Sequence, residues 1–265
     1  YKRQVGHSNY FCDCFKALTE IIDVDPACFF RQMYAAVRKI SPSESCGYAA
    51  EWNALRCRAA SASEAYVASA PWSDLKAIDF MLRSLTLDNL FVSNGTAVRY
   101  SQLIPHHCHA EYCNRGVSGI DGCTATAVGG ALAYSGRTTL LTGDMSWLYD
   151  SGASTLSSVP DSMRIIVMDN SGGGIFRFVK STASLPSEVR DRYFCVSNLP
   201  DVAGIAAAYG FDVMEAHCME ELRQAVAWLD GESDLPRLLV VHTPPEVSAD
   251  VLNGYFSHLN QNPKP

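Results

Sequence analysis

Two apolar, β-branched runs, each closing on a polar pair, restrict this chain more than any other feature. Thr138-Thr139-Leu140-Leu141-Thr142 stops at Gly143-Asp144, and Arg164-Ile165-Ile166-Val167-Met168 stops at Asp169-Asn170. Ser146 to Val159 has room for one crossover helix, so the stretch reads as strand, helix, parallel strand. A right-handed crossover sets the carboxyl ends of both strands on one edge of the sheet. Asp144 and Asn170 become neighbours there. One carboxylate, one amide oxygen and carbonyls of the following glycine run form a hard, oxygen-only set suited to Mg²⁺ or Ca²⁺. With so few charges, Mg²⁺ holds well only when a ligand phosphate completes its octahedron, which points to a metal-bridged diphosphate.

The same alternation extends on both sides. Strands are expected near 89–93, 110–114, 138–143, 164–169, 211–216 and 237–242, with helices near 96–104, 122–135, 146–158, 200–209 and 218–230. This is the signature of a doubly wound, six-stranded parallel sheet with helices on both faces, whose ligands sit outside the strands' carboxyl ends. Ahead of it, Asp25-Pro26 makes a helix start, Phe29, Phe30, Met33, Tyr34, Val37 and Ile40 keep a helical stripe, and Ser41-Pro42-Ser43 stops it. Gly47 to Ala70 reads as a second long helix. Residues 1–71 are expected to be the end of a preceding domain plus a linker helix, or alternatively a helical cap on the next domain; residues 72–265 form the sheet domain. Phe15 to Ile22 reads as the end of an edge element whose partners are missing, and the Pro-rich end, Gln261 to Pro265, as frayed.

A net charge of −7 over 265 residues, with no basic run, argues against a nucleic-acid surface. No apolar stretch reaches the roughly 18 residues of a membrane span, and the first residues lack the apolar core of a signal peptide. The ten cysteines are scattered, with one CxC (Cys12, Cys14) and no CxxC. They read as reduced thiols and so as a cytoplasmic chain.

The strand ends carry the chemistry. Asn94-Gly95-Thr96-Ala97-Val98-Arg99 follows the first strand of the sheet, and Asn114-Arg115-Gly116-Val117-Ser118-Gly119-Ile120-Asp121-Gly122 follows the second. Two arginines on the edge of a diphosphate site favour carboxylate binding, because a planar guanidinium matches a carboxylate bidentately. His106, His107, Cys108 and His109 look like metal ligands, yet neighbours on a short loop rarely converge on one ion. Gly172-Gly173-Gly174 belongs to neither GxGxxG nor GxxxxGK[ST]. Gly129-Gly130 is expected to permit close helix–sheet packing, and Glu220-Glu221 and Asp230-Glu232 to be solvated.

The string GDMSWLYD…NSGGGIF resembles the thiamin diphosphate motif, in the form found in 2-succinyl-5-enolpyruvyl-6-hydroxy-3-cyclohexene-1-carboxylate synthases. That family replaces the third residue of the usual GDG with an apolar residue followed by Ser, as Met145-Ser146 does here. SNGTAVRY and NRGVSGIDG resemble two further segments of the same family, in the right order. The resemblance implies that Asp144, Asn170 and the Gly172 carbonyl hold Mg²⁺ (or Mn²⁺). It also implies that Asn114, Gly116, Ser118, Gly119, Ile120, Gly143, Met145, Ser146 and Gly173 contact thiamin diphosphate, with Ile120 as the apolar wedge under the cofactor. Arg99 and Arg115 would take substrate carboxylates, and Ile175 and Phe176 would line the pocket. Gly95 stands where the family usually has Ser, and Asp169 replaces the first Asn of the usual pair.

The implied enzyme is a transferase that decarboxylates 2-oxoglutarate and adds the four-carbon unit to isochorismate in menaquinone biosynthesis. In this family the Glu that bonds the aminopyrimidine lies on a separate pyrimidine-binding domain of the partner subunit, which no segment here resembles. The chain is therefore expected to be the C-terminal part of a larger synthase, inactive alone and working as a homodimer or homotetramer. The alternatives are another thiamin diphosphate-dependent decarboxylase or carboligase, and a non-catalytic domain that retains the fold.

Overall fold

The computed structural model describes residues 2–7, 13, 16–39, 47–155, 159–196 and 198–261. Cys12, Cys14, Ile40, the Ser41-Pro42-Ser43 stop and residues 262–265 of the Pro-rich end fall outside them. The chain divides into two compact units, Tyr1–Arg58 and Ala59–Pro265.

In the first unit, β1 (Lys2–Val5) and β2 (Leu18–Ile22) pair in parallel. The edge element read from the sequence therefore has its partner within this chain. Helix α1 (Pro26–Val37) starts where expected, with the Asp25 carboxylate accepting from the Cys28 N–H at 2.9 Å. Its stripe stays open: Phe30, Met33, Tyr34 and Val37 are all exposed. Helix α2 (Gly47–Ser69) carries the chain across the boundary between the units.

The second unit contains α3 (Asp74–Ser84), β3 (Asn89–Val92), α4 (Ala97–Ser101), β4 (Ala110–Tyr112), α5 (Cys123–Ala133), β5 (Thr138–Gly143), α6 (Asp144–Asp150) and β6 (Met163–Asp169). It continues through α7 (Lys180–Ala183), α8 (Ser187–Tyr193), α9 (Val202–Ala208), β7 (Asp212–Ala216), α10 (Met219–Asp230), β8 (Arg237–His242) and α11 (Pro245–Gln261). The six strands form one sheet in the order β4-β3-β5-β6-β8-β7, and every neighbouring pair is parallel. The doubly wound α/β fold is as expected.

Strand alternation splits the core into two layers. Leu90, Val92, Leu141, Ile166, Met168, Leu239 and Val241 pack on one face with α3, α10 and α11. Phe91, Leu140, Ile165, Val167, Leu238 and Val240 pack on the other with α5, α9 and Trp147. Both faces are covered, which is why these strands read as continuous apolar runs rather than alternating ones. Gly130 of α5 lies against the Phe91 ring, where a Cβ would collide, whereas Gly129 faces open space. Close packing thus needs only the second glycine.

Several boundaries differ from expectation. The crossover after β5 is shorter than a single helix over 146–158: α6 ends at Asp150 and a 3₁₀ turn follows at Ser151–Thr155. Helices α7, α8 and α11 were not anticipated. Asp230 is not simply solvated, because it pairs with Arg137 and accepts from the Thr86 N–H (3.1 Å) and hydroxyl (3.0 Å). Glu221 accepts from the His217 N–H at 2.6 Å, at the start of α10.

Candidate functional site

Strand order reverses between β3 and β5, since β4 lies on one side of β3 and β5, β6, β8 and β7 follow on the other. Loops diverge at such a switch point and leave a crevice at the strands' carboxyl ends. A cavity of about 180 Å³ opens there, walled by residues 94–96 after β3, Ile120, residues 143–146 after β5, and Asn170 with 173–176 after β6.

Asp144 organises this crevice. It is the first residue of α6 and only 3 % exposed. One carboxylate oxygen accepts from the Met145 N–H (2.6 Å), the other from the N–H groups of Gly172 (2.8 Å) and Asn170 (3.2 Å). The β5 and β6 ends are thus joined directly. No ion pair reaches Asp144 among the described residues. Burial pushes its pKa up to about 7 against the pull of the Gly172 and Met145 N–H groups, and the nearby Asp169 charge adds to the rise. A buried carboxylate held by N–H dipoles and lacking a cation suits a divalent metal.

The loop that meets it is built for a tight approach. Ser171, Gly172 and Gly173 take left-handed φ values of 61°, 75° and 63° in succession. A Cβ on Gly172 would meet the Val196 carbonyl oxygen at 2.5 Å, and one on Gly174 would meet the Asn170 amide nitrogen at 2.7 Å. The Asn170 side chain donates through that nitrogen to Asp74 of α3 at 2.9 Å. Asp74 is itself buried and takes a further bond from the Thr243 hydroxyl, while its N–H donates to Ser248 Oγ at 3.0 Å. Burial raises the Asp74 pKa, opposed by its bonds to Thr243, Asn170 and Ser248. With its nitrogen engaged, the Asn170 amide keeps its oxygen for another partner.

Asp169 is matched by charge. His242 Nδ1 lies 3.0 Å from one of its oxygens, and the Ser171 N–H donates to the other at 3.2 Å. The bond to His242 holds the Asp169 carboxyl below its ordinary range, and the same bond leads in raising the histidine.

Of the residues singled out in the sequence, Ile120, Gly143, Asp144, Met145, Ser146, Asn170, Gly173, Ile175 and Phe176 come together around the cavity. The Ser146 hydroxyl donates to the Ile120 carbonyl at 2.8 Å and fixes the apolar residue against α6. Gly172 meets Asp144 through its N–H. Asn114, Arg115, Gly116, Ser118 and Gly119 form the adjoining loop rather than the cavity wall. Asn94 holds this loop by donating to the carbonyls of Gly119 (2.6 Å) and Asn114 (2.7 Å), and Arg115 donates to Asn94 Oδ1 at 3.1 Å. Arg99 is exposed on α4 and lines no part of the cavity. Asn94 and Thr96 have no individual role in the sequence reading, and Asp74 escapes it. The first two were visible as the polar end of β3; nothing local marks Asp74.

The fold and crevice define an open, doubly wound α/β domain consistent with the thiamin diphosphate-binding fold. No family model matches the chain. It is similar to the 2-succinyl-5-enolpyruvyl-6-hydroxy-3-cyclohexene-1-carboxylate synthases of Porphyromonas gingivalis (38 % identity, 94 % of this chain and 44 % of the relative) and Flavobacterium psychrophilum (35 %, 93 % and 44 %). The Christiangramia forsetii synthase is 36 % identical over 74 % of this chain and 34 % of its own length. The chain belongs to this synthase family, and it spans less than half the length of these relatives. No described helix is long and apolar enough to cross a membrane.

Proposed function

We propose that this chain supplies the diphosphate-binding half of a thiamin diphosphate-dependent transferase of menaquinone biosynthesis. The whole enzyme would decarboxylate 2-oxoglutarate and add the four-carbon unit to isochorismate, in the cytoplasm. Residues 72–265 would be the cofactor domain and residues 1–71 the end of a preceding domain with its linker helix. The observation that carries this reading is the buried Asp144 carboxylate, tied by backbone N–H groups to the loop bearing Asn170 and Gly172.

In this reading Asp144, the Asn170 amide oxygen and the Gly172 carbonyl hold Mg²⁺ or Mn²⁺. Once bound, thiamin diphosphate supplies the electron sink that a 2-oxoacid decarboxylation requires. The chain's own residues bind, orient and dry the site. Gly143, Met145, Ser146 and Gly173, with Asn114, Gly116, Ser118 and Gly119 of the adjoining loop, would hold the cofactor. Ile120, pinned by Ser146, and the Ile175 and Phe176 side chains exclude water where charge develops. Arg115 and Arg99 would take the carboxylates of the substrates. The carboxylate that bonds the aminopyrimidine comes from the pyrimidine-binding domain of another subunit, so the chain alone is inactive.

Calorimetric titration with thiamin diphosphate, with and without Mg²⁺, tests the half-site. The expected result is weak binding that needs Mg²⁺ and disappears in Asp144→Ala. Binding indifferent to both Mg²⁺ and Asp144 overturns the metal assignment.

A further inference from the structure

The HHCH run does converge, but not as four neighbours. His106 and Cys108, two residues apart on the loop between α4 and β4, meet Glu111 of β4, and their ligand atoms all lie within 4.8 Å of one another. His107 and His109 are exposed and take no part. Alternate residues of an extended segment share a face, whereas adjacent ones diverge.

His106 is prepared for coordination. Its side chain is only 8 % exposed, and Nδ1 lies 2.8 Å from the Ile104 carbonyl oxygen. A carbonyl can only accept, so Nδ1 carries a proton, and Nε2 is the ring nitrogen that faces the cluster. This is the backbone support usual for a metal-binding imidazole. Nε2 stands 3.6 Å from a Glu111 oxygen, too far for a hydrogen bond. Metal–ligand bonds of about 2.0–2.3 Å put the corners of a tetrahedron roughly 3.3–3.7 Å apart, so that spacing suits two ligands of one ion. Cys108 is a free, partly buried thiol.

We propose that His106, Cys108 and Glu111 form a site for a borderline divalent cation of the Zn²⁺ type, which clips the α4–β4 loop onto edge strand β4. Imidazole, thiolate and carboxylate select Zn²⁺ or Co²⁺ over the Mg²⁺ that the oxygen-only set around Asp144 prefers. Three protein ligands leave the fourth position to water. The clip steadies the strand that leads into Asn114 and Arg115, and it stands independently of the diphosphate reading. A second cluster, Glu215, His217 and His242, lacks this geometry. Its imidazoles stack with centroids 4.3 Å apart and planes 3° from parallel, so their in-plane lone pairs run side by side instead of meeting.

The test is an anaerobic Co²⁺ titration of the full chain with Mg²⁺ in excess, following thiolate-to-cobalt charge-transfer absorption in the near ultraviolet. One equivalent of Co²⁺ should give the band, and Zn²⁺ should displace it. Cys108→Ser should abolish the band, and His106→Gln should weaken Co²⁺ binding about tenfold or more. His217→Gln and Asp144→Ala should leave it unchanged. Circular dichroism of the metal-free variants shows that they still fold. No band with Co²⁺ in large excess, or a band that survives Cys108→Ser, overturns the proposal.

Discussion

Asn170 and Asp74, 96 residues apart, share a buried 2.9 Å hydrogen bond from the asparagine amide nitrogen to the aspartate carboxylate. The bond sets which end of the Asn170 amide is left to face a cation. Asp74 is therefore a positioning residue for the proposed metal site although it lines no part of the cavity.

Replacing Asp74 separates positioning from folding. Asp74→Ala leaves Asn170 Nδ2 and the Thr243 hydroxyl without their acceptor and should cost about 2–3 kcal/mol in urea unfolding. Asp74→Asn retains one acceptor oxygen and should fold with a smaller loss. Calorimetry on that milder variant should still show Mg²⁺-dependent cofactor binding weakened about tenfold; unchanged affinity would remove Asp74 from the site.

Asp144 should make stability depend on pH in a direction opposite to an ordinary ion-paired carboxylate. Its folded pKa of about 7 lies above the unfolded 3.8, so the folded state holds the extra proton between those values. Stability therefore falls as pH rises through that window. Without Mg²⁺, the penalty of Asp144→Ala should be larger near about pH 5 than near about pH 8. Denaturation midpoints at the two pH values measure this, and an equal penalty counts against the shift.

The Asp169–His242 pair responds at both ends of the pH scale. The histidine pKa is raised above 6.5, so its contribution is complete below that value and fades as pH climbs through the folded pKa. The aspartate is depressed below 3.8, so the pair also weakens in strong acid, as Asp169 protonates. His242→Gln should cost about 1 kcal/mol around pH 5–6 and progressively less at alkaline pH.

Gly172 tests the loop. An alanine there must hold φ of +75° with its Cβ 2.5 Å from the Val196 carbonyl. Gly172→Ala should lose about 1–3 kcal/mol from strain alone, together with Mg²⁺-dependent binding. A cofactor titration matching wild type would show that the loop can yield.

Arg115 is proposed to bind a substrate carboxylate, and its bond to Asn94 keeps it beside the crevice. Arg115→Lys preserves charge but loses the planar fork, so in the complete enzyme the KM for 2-oxoglutarate or isochorismate should rise about tenfold, with kcat little changed. A fall in kcat alone would assign the residue elsewhere.

Much of this was legible in the sequence because the signals are local. β-branched runs, the Gly143-Asp144 and Asp169-Asn170 terminators and the glycine run each declare themselves within a few residues. Helix α11 has a local signal too, in the spacing of Val247, Val251, Tyr255 and Leu259 behind Pro244-Pro245. The HHCH run shows no such local signal: His106 and Cys108 meet Glu111 only because the fold brings β4 alongside, while His107 and His109 are no part of the cluster.

The sequence by itself determined a parallel α/β sheet and put Asp144 beside Asn170, since strand period, crossover length and handedness leave little freedom. Only the tertiary structure decided how those residues are held. Asp74, Thr243 and Ser248 converge from α3, the β8–α11 turn and α11 to satisfy buried polar groups, and Arg99 stays outside the cavity that Ile120 and Phe176 line. Such pairings depend on chain closure over tens of residues and on which buried donors remain unsatisfied, and neither quantity has a local signature.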